Sequence, residues 1–299
     1  MKKTWILTVL VIILIYNFHK QDPASINQSL RMEIRLQERK AVVQDYCKRH
    51  NRNADTVLGH NLRYFLVFRS RKVIYCFIPK VSSKQWKKEL SSLEEEDQQI
   101  YDKVNGTFKN NLNNFSPQEV EEMLKNYFTF LFVRDPMERV LSAYRDKFLK
   151  ENKSFHRAFG RRIVKNYRRN ATQQALETGS DVTFSEFANF VVDSHRLPDE
   201  HWSPFDKLCH PCAVNYDFIG HYEELTEDAP YLAKKAGIDD RVSFPPFRPS
   251  NTTAKMLHYY SQIPKKTLFQ IAKLYESDYE MFGYPFPGQL GALFNSTES

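Results

Sequence analysis

Two apolar runs, each ending in a polar turn that opens into a helix, constrain the fold of this chain more than any other feature. In the first, Ile74-Tyr75-Cys76-Phe77-Ile78 passes through Pro79-Lys80-Val81-Ser82-Ser83-Lys84-Gln85 to a helix start at Trp86-Lys87-Lys88-Glu89-Leu90. In the second, Tyr127-Phe128-Thr129-Phe130-Leu131-Phe132-Val133 ends at Arg134-Asp135 and continues as Pro136-Met137-Glu138-Arg139-Val140-Leu141-Ser142. A short unbroken run of branched and aromatic residues reads as a strand buried on both faces. Pro136 suits a first helical turn, where its missing N–H costs nothing. Met137, Val140, Leu141, Tyr144 and Phe148 recur at helical spacing and predict a core-facing stripe, off which Arg139 and Ser142 fall.

The rest of the chain repeats the alternation. Tyr64–Phe68 and Val73–Ile78 read as adjacent strands joined by the basic turn Arg69-Ser70-Arg71-Lys72, and Tyr216–Gly220 reads as another core strand. Helices are predicted over Phe184–Val192, after Thr226 and from Pro264, while Glu94–Asp97 and the Asn-rich residues 105–114 read as a surface loop. Strands alternating with helices predict an α/β fold with a mostly parallel sheet, whose ligands sit beyond the strands' carboxyl ends. At 299 residues there is length for one sizeable core, and no internal repeat is visible.

The amino terminus predicts a membrane anchor. Met1-Lys2-Lys3 precedes an apolar run from Trp5 to Tyr16 that lacks a small-residue cleavage site. The lysines hold the terminus on the cytosolic side. The expected organisation is a cytoplasmic tail (1–3), a signal-anchor helix (4–18), a stem (19–60), a lumenal body (61–290) and a tail (291–299). Sequons at Asn27, Asn105, Asn152, Asn170, Asn251 and Asn295 agree with a lumenal body. The four cysteines, Cys47, Cys76, Cys209 and Cys212, allow three disulfide connectivities, and the sequence does not choose among them. Cys209-His210-Pro211-Cys212 lacks the context of a redox motif or the further ligands of a zinc site, and structural cysteines are the favoured reading.

Charge narrows the partner. Lys and Arg number 43 against 36 Asp and Glu, a net +7 that suggests an anionic ligand. No nucleic-acid-reading motif is present, so nucleic acid is not expected. Arg157, Arg161, Lys165 and Arg168 would form one positive helix face, a track for a polyanion or a solvated surface. Pro79–Gln85 has the makings of an anion cradle without the G-x-x-x-x-G-K-[ST] pattern of nucleotide triphosphatases. Arg134 offers a fork to phosphate, or with Asp135 a local ion pair capping the helix.

Together these segments resemble the Golgi carbohydrate sulfotransferases of the HNK-1 family, especially the chondroitin 4-O-sulfotransferases. The likeness is carried by Tyr75–Val81 with Trp86-Lys87, by Phe130–Pro136 with Glu138-Arg139 and Ser142-Ala143-Tyr144, and by His201-Trp202. Leu208–Cys212, Tyr216–Gly220 and Phe282-Gly283-Tyr284-Pro285 complete it. The resemblance implies a P-loop-like fold and transfer of a sulfuryl group from 3′-phosphoadenylyl sulfate (PAPS) to a sugar hydroxyl. It places the 5′-phosphosulfate on Pro79–Gln85, with Lys80 catalytic, and the 3′-phosphate on Arg134–Ser142, chiefly on Arg134 and Ser142. It implies an acidic glycosaminoglycan acceptor, a Golgi membrane location and no metal.

Serine and lysine at 83 and 84, and glutamine at 85, depart from the family's usual Cys-Thr-Asn. That departure keeps a catalytically weakened glycan-binding protein open as a second class. N-glycan N-acetylgalactosamine and HNK-1-type glucuronic acid remain alternative acceptors. The base that takes the acceptor proton is not assigned: His60, His156, His201, His210, His221 and several glutamates are available.

Overall fold

The computed structural model describes residues 23–52, 57, 59–103, 110–193, 199–244 and 251–295. The expected anchor and cytoplasmic tail lie outside these residues. Among the described residues no helix is long and apolar enough to cross a membrane. The chain divides into two units, residues 1–38 and 39–299. Residues 23–38 of helix α1 (Pro23–Arg49) supply the described part of the first.

The second unit is built on a four-stranded sheet of order β1-β2-β3-β4. Strands β1 (Phe65–Phe68) and β2 (Val73–Cys76) form the expected antiparallel hairpin, with Phe65 opposite Cys76. Helices α2 (Ser83–Glu89), α3 (Ser91–Lys103) and α4 (Pro117–Asn126) then lead to β3 (Phe128–Val133), parallel to β2. Helix α5 (Pro136–Lys147) follows, then α6 (Lys153–Phe155), a π turn (His156–Gly160) and α7 (Arg161–Tyr167). Next come α8 (Gln173–Thr178), α9 (Phe184–Asp193) and α10 (Phe205–Cys209), before β4 (Phe218–His221) pairs parallel with β3. The chain closes with α11 (Leu225–Lys235), α12 (Met256–Tyr260), α13 (Lys265–Leu274), α14 (Glu276–Phe282) and α15 (Gly291–Asn295). The α/β expectation holds, as a mixed sheet: the hairpin adds an antiparallel edge to parallel pairs.

Three boundaries differ from the sequence reading. Glu94–Asp97 is interior to α3 rather than loop, because its acids have partners. Asp97 is buried and accepts the Arg69 and Ser70 amides at 2.7 Å each, and Glu96 pairs with Arg71 and Arg241. Residues 39–49, expected in the stem, belong to the second unit. There Arg39 pairs with the buried Asp228 at 2.7 Å and donates to the Ile219 carbonyl, while Cys47 is bonded to Cys212. Gly291–Asn295, expected as tail, is helical, and Phe294 packs edge-on against Phe269 and Phe286.

Burial follows the pattern of the strands. Phe65, Val67, Ile74, Cys76, Phe130 and Val133 are wholly buried, and Trp86 fills the space between Tyr75, Phe130, Phe132 and Phe244. The stripe of α5 is buried throughout and packs with Phe184 and Phe187 of α9. A second disulfide, Cys76–Cys209, joins the end of β2 to α10.

The basic helical segment is held by a backbone contact that only glycine permits. A Cβ at Gly160 would lie 2.1 Å from the Gly179 carbonyl oxygen, and Gly179, at φ +63°, caps α8 in the left-handed region. Replacing Gly160 by Ala overpacks this junction and should cost about 1–3 kcal/mol, read as a lower denaturation midpoint at unchanged m-value.

Candidate active site

Parallel pairing brings the two polar turns together. Because Tyr75 lies opposite Phe130 and Cys76 opposite Leu131, β2 and β3 end side by side, and so do the segments that follow them. The first turn is strained: Lys80 has φ +73° and Ser82 φ +53°, left-handed values uncommon for residues with side chains. A left-handed residue leading into the right-handed turn of α2 aims backbone N–H groups into one concavity, the geometry that binds anions. Around it the hydroxyls of Ser82, Ser83 and Ser142 are half-buried, and the Lys84 side chain is exposed.

Lys80 is the charged centre of the turn. Burial pulls its ammonium down to about 8, against the opposing pull of Asp146, whose carboxylate is 3.1 Å away. Asp146 also faces Lys147 at 3.5 Å and Lys150 at 3.3 Å. Burial alone would raise this carboxyl, but the ammonium groups, led by Lys80, hold it far below the ordinary carboxylate range. One anion thus sits among three cations.

The second turn does something other than the sequence suggested. Arg134 is buried, but its guanidinium is committed: it pairs with Glu138 at 2.6 Å, donates to the Lys80 carbonyl at 3.0 Å, and lies over the Tyr222 ring. The expected local pair with Asp135 is replaced by this one. Asp135 instead caps α5 by accepting the Glu138 amide, and burial raises its carboxyl to about 6. Arg139, expected off the buried stripe, is 1% exposed. It donates to the carbonyls of Pro79 (3.1 Å), Ser203 (2.7 Å) and Glu200 (2.7 Å). Pro136, Met137, Val140 and Leu141 are buried packing residues rather than surface for a ligand. Within this turn, Ser142 remains available at the surface of the site.

The predicted basic face is shorter than expected. Arg157, Arg161 and Lys165 are exposed across the π turn and α7. Arg168 leaves the helix with extended backbone and is bound by Glu186 and Asp181, each at 2.6 Å, so it holds α9 rather than a ligand. Arg157 and Arg161 line a 560 Å³ pocket with Lys150, Lys153 and His156. Sequence reasoning missed Asp146, Lys147 and Asp199. Asp146 carries a weak signal, lying four residues beyond Ser142 on the same helix; Asp199 sits in a loop without a motif of its own.

The family model described as Sulfotransferase family matches residues 63–285, spanning both turns and every strand. This chain belongs to the sulfotransferase family. The sulfotransferase is 35% identical to rat carbohydrate sulfotransferase 11 over 272 residues, covering 85% of this chain and 77% of the relative. It is 38% identical to zebrafish carbohydrate sulfotransferase 14 over 235 residues, 76% of this chain and 63% of the relative. Human carbohydrate sulfotransferase 9 is 35% identical over 276 residues, 87% of this chain and 62% of the relative. No solved structure matches significantly. Membership makes the chain an enzyme that moves a sulfuryl group from a sulfate donor.

Three outcomes are expected for kinetics. Lys80→Ala should lower kcat by about 10²–10³-fold, the loss typical of one preorganised donor to a developing anion. Deprotonation removes the positive charge of Lys80, so kcat/KM should fall as pH rises through about 8. Asp146→Asn removes the charge that opposes burial, so this alkaline limb should move to lower pH in a pH–rate profile.

Proposed function

We propose that this sulfotransferase takes its sulfuryl group from PAPS and places it on the 4-hydroxyl of N-acetylgalactosamine in a chondroitin- or dermatan-type glycosaminoglycan. The observation that carries the acceptor class is the position of Asp146. Its carboxylate joins Lys80 of the turn to Lys150 on the wall of the basic pocket. Cations suited to an acidic polysaccharide, Lys150, Lys153, Arg157 and Arg161, outnumber Glu151 and Glu177 on that pocket's wall. The names of the relatives, all carbohydrate sulfotransferases, support a sugar acceptor.

The residues fit the donor. A half-buried ammonium, a strained turn presenting N–H groups, and the hydroxyls of Ser82 and Ser83 suit a phosphosulfate. Lys84, where the family's usual pattern has a threonine, adds an exposed ammonium to the same loop. Ser142 suits the 3′-phosphate, and Arg134 supports that position by joining Lys80 to α5. When bound, PAPS supplies an activated sulfuryl group on a nucleotide phosphate. Lys80 holds its proton toward the oxygen on which negative charge grows.

The proposed setting is the Golgi lumen, with a single-pass type II anchor in residues 4–18. The apolar run behind Lys2-Lys3 supports this, as do exposed sequon asparagines Asn170 and Asn295. Two disulfides that use all four cysteines also suit an oxidising compartment.

The test is transfer from labelled PAPS to desulfated chondroitin, dermatan, an N-glycan bearing N-acetylgalactosamine and an HNK-1-type glucuronyl acceptor. Preference for chondroitin or dermatan is expected; no transfer to any glycan by folded protein would overturn the reading. Joint replacement of Arg157, Arg161 and Lys165 by Ala should raise KM for chondroitin roughly tenfold, leave KM for PAPS unchanged, and lose most of its effect at high salt.

A further inference from the structure

His201 and Asp199 form a pair that the binding of donor and acceptor leaves unused. The His201 ring nitrogen Nδ1 lies 2.6 Å from Asp199 Oδ1, and the His201 amide donates to the same oxygen at 2.9 Å. Burial pushes the Asp199 carboxyl up, but His201 and then Lys147 outweigh it and leave it below its ordinary value. An ionised carboxylate accepts, so Nδ1 carries the proton and the lone pair is on Nε2. Nε2 has no hydrogen-bond partner among the described residues, and the side chain keeps 15% of its surface exposed.

The pair is anchored at the transfer turn. Arg139 donates to Glu200 and Ser203, on either side of His201, with two nitrogens and to Pro79 with the third. On the other flank His201 stands edge-on to Phe155 at 5.3 Å, and Lys147 sits 4.5 Å from that ring while touching Asp146. The charged groups facing the pair are Lys147 from α5 and, more distantly, Arg139 and Arg63. The other candidate histidines are placed elsewhere: His60 stacks on His210, His221 on Tyr284, and the buried His156 lines the basic pocket. Asp146 lies nearer Lys80 but, held far below the ordinary range by three ammonium groups, is a poor proton acceptor.

We propose that His201 Nε2 is the general base of sulfuryl transfer and that Asp199 is its positioning residue. The acceptor hydroxyl gives its proton to Nε2 as its oxygen bonds to sulfur. The bond between sulfur and the nucleotide phosphate oxygen breaks, its electron pair leaving on that oxygen beside Lys80. The imidazolium forms against Asp199 and later returns its proton to water. This rests on the sulfuryl transfer proposed above, and the experiment separates the two.

Wild type, His201→Ala, His201→Asn and Asp199→Asn are compared in full-length protein for transfer from PAPS to desulfated chondroitin across pH, with PAP (adenosine 3′,5′-bisphosphate) affinity measured by calorimetry. Both His201 variants should lose about 10²–10⁴-fold in kcat, lack the acidic limb of the profile and bind PAP as wild type does. Added imidazole should restore part of the rate to His201→Ala. Asp199→Asn should lose less and move the acidic limb to lower pH, since the imidazolium loses its counter-charge. His201→Asn keeps a side chain able to hydrogen-bond Asp199, so a loss shared by both variants with intact PAP binding is a loss of the base. Retention of wild-type kcat and acidic limb by either variant overturns the assignment, as does disappearance of the limb in His156→Ala instead. Wild type inactive on every glycan would overturn the proposed function.

Discussion

The guanidinium of Arg139, enclosed on every side, ties three stretches of chain to one point. Its donors go to the carbonyls of Pro79, Glu200 and Ser203, with no carboxylate taking them up, and its flat face lies 4.9 Å over Phe205. Burial draws its proton affinity down, against the opposing pull of Tyr275, Asp278 and Asp199. A rigid fork can hold three acceptors at fixed angles, which a lysine ammonium cannot do at this reach. The turn that carries Lys80 and the loop that carries His201 therefore keep their relation without a direct bond between them.

Charge is arranged with the same economy of parts. Lys80, Lys147 and Lys150 share Asp146, so each cation is partly neutralised and the group as a whole is not. An incoming dianion meets attraction that is already ordered. Arg134 with Glu138 is a different arrangement: a nearly neutral, buried pair whose value is geometric, since the other terminal nitrogen, Nη1, donates to the Lys80 carbonyl.

The strands and the α5 stripe were legible because burial on both faces leaves a mark in every residue of a short run. Phe65, Ile74, Phe130 and Met137 all lie where periodicity put them. The two turns were legible as sites because Pro79-Lys80 and Arg134-Asp135 interrupt those runs abruptly. Arg139 and Arg168 were misread because periodicity treats a charge as outward-facing, whereas carbonyls and acids distant in sequence can enclose it. Glu94–Asp97 failed the same way: acids at a helix surface look like loop until the Arg69 and Ser70 amides are known to bind Asp97. Choosing His201 among five histidines required the Asp199 contact, which spacing does not encode.

The bridge from Cys47 to Cys212, with the pair of Arg39 and Asp228, makes the end of the first helix a working part of the body. It sits beside the Cys76–Cys209 bridge, so the segment from 209 to 212 is stapled both to the central sheet and to the leading helix. The shortest self-sufficient enzyme therefore starts well before the first strand. A recombinant or proteolytic fragment cut at residue 60, where composition alone would mark the edge of the globular part, would be a torso with one staple missing and the buried Asp228 stripped of its Arg39 counter-charge.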